Sequence, residues 1–341
     1  MLSDDPYGFA DAMVSPTARP VSDVLVIGDG LIGLSTALAL GRAGVRTVVI
    51  GKRRTGAASS AAAGLLVPSI GTLPSAVQSF FAASLAAYPA FLASLADVDP
   101  ALRLIEGIFE RSEDGGDRMH PHDAAVDNVR LLAAVAAAVG ATPIIARVED
   151  AVSSVDIGTG SARVITASGA RYSAARVILA AGAWAPQLAG LPRPLPVRPL
   201  KGQMLALGAC PLTHSIMGDD AYLVPRGNET LVGATVEEAG FDTTIDPRAI
   251  DALHRAAVAL VPALRDAQVT RTWSGIRPAT PDMLPVLGPE PLAPTLIYAC
   301  GHSKNGILLA PATASALADV VQQRPSAHDL TPFRADRWEP I

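Results

Sequence analysis

Apolar and polar positions alternate along this chain in rhythms that mark out its elements. Val24-Leu25-Val26-Ile27 is an unbroken apolar run, as in a strand covered on both faces. A glycine turn follows at once. From Leu31 to Ala43 apolar residues recur at helical spacing until Gly44 ends the helix, and Thr47 to Ile50 predicts a second strand. The unit reads strand, glycine turn, helix, strand.

Further on, Ser75 to Ala96 predicts helix, Leu102 to Phe109 strand, and Val126 to Val139 helix. Arg111 to Asp123 is charged and carries glycine, so it is expected to be an exposed loop. β-Branched and alternating runs fill Ile144 to Ile178 and close on Val177-Ile178-Leu179-Ala180-Ala181-Gly182, a second buried strand ending in glycine that should rejoin the first sheet. Short strands with turns from Pro196 to Gly233, a helix from Pro247 to Val261 and a strand from Val269 to Ile276 suggest an antiparallel sheet. A strand at Leu296 to Ala299, a turn at Gly301 and a helix from Gly306 to Gln322 complete the pattern.

Two interleaved lobes follow. We expect a polar, flexible segment over residues 1–20, a dinucleotide-binding lobe from 21–75, 125–192 and 282–330, and a substrate lobe from 76–124 and 193–281. No internal repeat interrupts this division.

Composition narrows the chemistry. The 341 residues are half hydrophobic and carry a formal charge of -5 without a long Lys/Arg run, which argues against a nucleic-acid partner. Cys210 and Cys300 stand far apart and predict neither a disulfide framework nor a metal cluster, so a reducing cytoplasm is expected. The stretch Phe80 to Leu95, broken by Ser84, Pro89 and Ser94, reads as a buried helix, and no membrane partner is expected. His120 and His122 are expected to face solvent, and no metal is assigned. Ser59 lies in an alanine-rich block and not in a nucleophile elbow, which disfavours hydrolase chemistry.

The strongest local motif is Gly28-Asp29-Gly30-Leu31-Ile32-Gly33, a GxGxxG between a predicted strand and a predicted helix. Gly28 permits the turn, Gly30 lets backbone approach a pyrophosphate, and Gly33 allows close helix packing. The acid that usually ends the second strand and binds ribose is missing, since the chain reads Val49-Ile50-Gly51-Lys52-Arg53-Arg54. Those arginines leave open a 2′-phosphate and hence NADP, or a ribose held by backbone or water.

Five blocks recur in order: Ser59 to Leu65; Ala181-Gly182-Ala183-Trp184; Lys201-Gly202-Gln203; Trp273 to Asp282; and Gly301 to Ile307. Together with the glycine fingerprint they resemble the D-amino-acid oxidase family of flavoproteins, in particular its glycine oxidase branch, from Asp23 to Ala318. The resemblance implies an α/β fold, with a Rossmann-like FAD-binding domain interleaved with an antiparallel-sheet substrate domain.

It also implies FAD-dependent oxidation of a small amine or amino acid, of the glycine, sarcosine or D-amino-acid type. Hydride would pass to flavin N5 and give the imine, and O2 would reoxidise the flavin to give H2O2. By resemblance, Gly28, Gly30, Leu31, Ile32 and Gly33 hold the pyrophosphate with Ser59 and Ser60. Ala63, Gly64 and Leu65 line the flavin ring, Val148 stands on the adenine side, and Gly182 and Trp184 return to the cofactor. Gly301, His302, Ser303, Lys304, Asn305, Gly306 and Ile307 bring a helix N-terminus to the flavin, where its dipole favours the reduced, anionic form.

Arg277 matches the residue that takes the substrate carboxylate, a task suited to its bidentate fork, and Tyr222 matches a tyrosine bonding the same group. His302 reads either as a proton relay or as a residue orienting the turn. Lys304 departs from the family, which usually has arginine there, and the stretch from Leu102 to Asp127 is shorter than in relatives. Two alternatives remain open, a dehydrogenase using another electron acceptor and a flavin-binding protein of low turnover. A homo-oligomer is compatible with the pattern.

Overall fold

The computed structural model describes residues 22–69, 73–111 and 116–338. The segment 1–20, expected to be flexible, lies outside them.

The chain opens with β1 (Val24–Ile27), α1 (Leu31–Arg42) and β2 (Thr47–Gly51), as the apolar rhythm requires. A short helix α2 (Ala58–Ala61) and β3 (Leu65–Leu66) lead to α3 (Ser75–Ala86) and α4 (Tyr88–Ala93). There follow the hairpin β4 (Leu104–Arg111) and β5 (Asp117–Val126), then α5 (Asn128–Gly140) and β6 (Ile145–Glu149). β7 (Val152–Ile157), β8 (Ala162–Thr166) and β9 (Arg171–Ala174) make a small antiparallel sheet before β10 (Arg176–Leu179). The second half holds β11 (Arg198–Leu207), β12 (Ser215–Met217), β13 (Tyr222–Arg226), β14 (Glu229–Gly233), α6 (Pro247–Leu260) and β15 (Val269–Ala279). β16 (Val286–Glu290), β17 (Ala293–Cys300) and α7 (Gly306–Val321) come last.

Two large sheets organise these elements. The first has the order β16-β17-β10-β1-β2-β6; all its neighbours are parallel except the β16–β17 pair. Val177 to Leu179 of β10 lie beside Leu25 to Ile27, so the second strand-glycine element rejoins the first sheet as expected. The second sheet runs β15-β11-β14-β13-β12-β4-β5-β3 and is antiparallel but for the β12–β4 pair.

Burial explains the layering. α1 and α7 pack on one face of the first sheet through Leu34, Leu38, Leu308 and Leu309, all nearly fully buried beside Val24, Val26 and Ile178. The other face buries Leu25, Ile27, Val177 and Leu179 against β7 to β9. α6 covers the second sheet with Ile250, Leu253 and Ala257 on Leu205, Leu207 and Val232.

The expected exposed loop over Arg111 to Asp123 is corrected. From Asp117 onward these residues form β5, and Met119 and His120 pair with Phe109 and Ile108 of β4. Polar side chains here occupy a strand because the backbone is satisfied across the hairpin. His120 is likewise not a solvent-facing loop residue. Its ring nitrogens meet Glu110 at 2.8 Å and Ser69 at 2.9 Å, and only 11% of the side chain is exposed.

The single helix expected over Ser75 to Ala96 is two, broken at Ala87 before Pro89. Ser75–Ala93 is long and apolar enough to cross a membrane by composition, with mean hydropathy 1.4. Its large side chains nevertheless turn inward. Val77, Phe80, Phe81 and Tyr88 join the core under α7, and Tyr88 donates to the Ile307 carbonyl at 2.5 Å. Sequence groups 76–124 with the substrate lobe; its helices pack on α7, while its strands belong to the second sheet.

Candidate functional site: a cavity between the two sheets

A cavity of about 1580 Å³ runs from Gly51 and Val148, at the ends of β2 and β6, to Tyr222 and Arg277 on the second sheet. Ordinary small-molecule sites occupy roughly 300–1,000 Å³. The extra volume leaves space for a dinucleotide and a small substrate together.

The fingerprint turn builds the first wall. Gly28 has φ of 116°, and a Cβ on it would stand 2.4 Å from the Ala180 carbonyl oxygen. A Cβ on Gly33 would lie 2.0 Å from the Gly28 oxygen, so α1 starts flush against the turn. Gly28, Gly30 and Ile32 line the cavity, whereas Leu31 is buried in the core and Gly33 packs behind the turn. The amide of Leu31 donates to Ser59 Oγ at 3.0 Å, which ties α2 to the helix start. Ser60 lines the cavity too and donates to the Ala57 carbonyl.

Ala63, Gly64 and Leu65 form the middle of the wall. Side chains from distant parts of the chain hold this segment in place. Arg226 donates to the Ala63 carbonyl at 2.9 Å and pairs with Asp127 at 2.8 Å. Asn128 donates to the Ser59 carbonyl at 2.9 Å, and the Trp273 indole to that of Ala61 at 2.9 Å. Proximity of these groups is a product of tertiary packing, and no local spacing announces it.

Gly182 and Trp184 come in from the turn after β10. Trp184 stacks on Phe241 with ring centroids 5.3 Å apart, and the Arg54 guanidinium lies over the Trp184 ring at 5.3 Å from its centroid. Gly301 to Ile307 also line the cavity, and Gly306 begins α7. Neither Gly30 nor Asn305 caps its helix with its own side chain, and apart from the Leu31 amide held by Ser59, first-turn N–H groups of α1 and α7 face positions where anionic atoms are favoured.

His302 is 3% exposed, and its Nε2 meets Thr313 Oγ1 at 3.2 Å. Burial pushes its pKa down to about 3, so it is neutral at ordinary pH. Of the two readings of this residue, the geometry favours orientation of the turn. Lys304, by contrast, is exposed at the edge of the cavity.

At the far end, the half-buried Arg277 guanidinium donates to the carbonyls of Thr235 at 3.0 Å and Lys201 at 3.3 Å. No carboxylate pairs with it among the described residues. Gly202 and Gly233 clear its surroundings, since a Cβ on Gly202 would lie 2.4 Å from the guanidinium and one on Gly233 2.4 Å from the Tyr222 hydroxyl. Burial raises the Tyr222 pKa, while the neighbouring Arg277 opposes the rise; the phenol stays neutral and able to donate. A fixed cation and a hydroxyl thus share one apolar corner.

The glycine turn, two helix starts and a long cavity between the two sheets fit FAD and define a dinucleotide-binding protein. The family model for FAD dependent oxidoreductases matches residues 23–108 and 98–320, and the chain belongs to that family. FAD, rather than NADP, is therefore its cofactor class.

The chain is 32% identical to a glycine oxidase of Bacillus licheniformis, over 94% of this chain and 98% of that protein. It is 31% identical to the bifunctional protein ThiO/ThiG of Trichormus variabilis over 93% of its own length, but spans only 55% of that longer relative. The crystal structure of glycine oxidase from Geobacillus kaustophilus superposes with a TM-score of 0.87 at 29% identity, covering 95% of this chain and 100% of that one.

Proposed function

We propose that this protein oxidises a small amine or amino acid bearing a carboxylate, of the glycine, sarcosine or D-amino-acid type, to the corresponding imine. The observation that carries the reading is Arg277, a half-buried guanidinium without an acidic partner, set beside Tyr222 in a cavity suited to FAD. When bound, FAD would supply the redox chemistry, as the two-electron acceptor for hydride from the carbon bearing the nitrogen, with dioxygen as the proposed final acceptor giving hydrogen peroxide.

The residues of the chain supply position. Gly28, Gly30, Ile32, Ser59 and Ser60 would hold the phosphates, and Ala63, Gly64 and Leu65 would form the wall along the ring. Arg277 takes the substrate carboxylate through its planar fork, and the neutral Tyr222 hydroxyl donates to the same group. Orientation of this kind lowers the barrier without a side-chain base, because the substrate amine is held in one attitude at the reacting face. Lys304 adds an exposed positive charge at the edge of the cavity, on the side of the substrate carboxylate's approach.

The relatives named as glycine oxidases favour glycine or a close analogue as substrate. The Arg277→Ala variant should lose about 100-fold or more in kcat/KM on carboxylate-bearing amines, the loss expected of two charge-assisted hydrogen bonds. Arg277→Lys should recover only part of it, since a point charge lacks the fork. Equal turnover of native protein and Arg277→Ala on every such amine would remove the anchoring role.

A further inference from the structure

Residue 51 ends β2 at the place where dinucleotide-binding folds usually carry the acid that binds ribose, and here it is glycine. The space above that glycine is filled from elsewhere. An ideal Cβ on Gly51 would stand 2.5 Å from Asp29 Cγ and 2.7 Å from its Oδ1. The Asp29 carboxylate thus lies over the strand end, where the first atoms of a residue-51 side chain would go.

Asp29 is held there by the turn itself. It sits between Gly28, whose amide donates to the Ile50 carbonyl at 2.8 Å, and Gly30, the residue before α1. The side chain is half-buried on the cavity wall, and it takes no hydrogen bond or ion pair from any described residue. A carboxylate aimed at a cavity without a protein partner calls for donors from the ligand.

We propose that Asp29 is the ribose-binding acid of this protein, moved from the end of β2 into the glycine turn, with Gly51 as its obligatory counterpart. The carboxylate has acceptor sites for both hydroxyls of the adenosine ribose. Its negative charge disfavours a ribose carrying a 2′-phosphate, which Lys52, Arg53 and Arg54 would otherwise suit. The two positions are coupled sterically: Asp at 29 leaves no space for any side chain at 51. Glu149, paired with Gly51 in register and on the same cavity wall, is the rival acid.

The assignment rests on FAD as cofactor, and the experiment separates the two. The full-length protein, freed of flavin, is titrated with FAD and with FAD built on 2′-deoxyadenosine, and binding is followed by quenching of flavin fluorescence. The native protein should bind FAD at least about 10-fold more tightly than the deoxy analogue, as a hydrogen bond to a charged group implies. Asp29→Ala should weaken FAD binding by a similar factor and bind both forms equally.

Glu149→Gln should behave as the native protein. Gly51→Glu alone should impair binding by colliding with Asp29, and Asp29→Gly combined with Gly51→Glu should restore affinity and discrimination. Unchanged discrimination in Asp29→Ala, or its loss in Glu149→Gln alone, would overturn the assignment. If the native protein binds neither form, the cofactor reading falls and the assignment falls with it. A thermal melt without flavin, matching that of the native protein, shows that Asp29→Ala is folded.

Discussion

His302 illustrates how burial decides a role that residue type leaves open. A histidine in a glycine turn beside a flavin site suggests proton transfer, but this ring lies inside the protein against Thr313 and has a pKa pushed down to about 3. In the unfolded chain the ring protonates near pH 6.5. Between those values the unfolded state binds more protons, so this group's stabilising contribution is present above pH 6.5 and lost as pH falls toward 3. Urea unfolding should show native stability dropping more steeply below pH 6.5 than that of His302→Asn, by up to about 1.4 kcal/mol per pH unit. Parallel slopes would show that His302 is not neutral in the fold.

Cys300 follows the same logic, its thiol pushed up to about 12 by burial. Asp29 shows what a linear reading misses. The absence of an acid at Gly51 was legible, but the carboxylate above it comes from a neighbouring turn, and only the folded strands bring positions 29 and 51 together.

Elements whose pattern is local were read well, and those made by distant pairing were not. β1, α1, β2 and α7 follow their apolar periods to within a residue or two. β16 was missed because Val286–Glu290 is short and contains a glycine and a proline, and its backbone is satisfied only by antiparallel pairing with β17. β5 was misread over its charged half for the same reason.

The approach to β3 makes a sharp prediction. Gly64 has φ of 83°, and a Cβ there would fall 1.9 Å from the Val126 carbonyl oxygen, across a contact in which Val126 donates to the Gly64 carbonyl at 2.9 Å. Gly64→Ala should cost about 2 kcal/mol or more, combining a left-handed backbone with overpacking. The cavity wall moves with it, so flavin affinity should fall alongside Tm. A variant with native Tm and flavin affinity would contradict the packing described here.

At the scale of the whole molecule, the first sheet draws its strands from residues 24–51, 145–179 and 286–300 and the second from 65–126 and 198–279, and the cavity lies where the two meet. A buried ion pair links the connection between them to the first sheet. Arg193 donates to Glu290 at 2.7 and 2.8 Å, with Glu290 fully buried and also accepting from the Tyr298 hydroxyl at 3.0 Å. Removing one partner strands the other charge, so Glu290→Gln should destabilise the fold by about 3–5 kcal/mol in chemical denaturation. A loss below about 1 kcal/mol would mean that water reaches the pair.

The α/β architecture with an antiparallel second sheet was legible because glycine turns and apolar runs are local signals. The room around Arg277 and Tyr222 was not, since it depends on Gly202 and Gly233 from two other strands.

A flavin site that oxidises carboxylate-bearing amines would reveal itself in the visible spectrum of the purified protein before and after anaerobic addition of glycine, sarcosine and a panel of D-amino acids. A yellow protein whose flavin absorbance bleaches with one of them, and recovers on admitting oxygen with formation of hydrogen peroxide, is the predicted result. A flavin-bearing protein that bleaches with none of them would contradict the proposed chemistry.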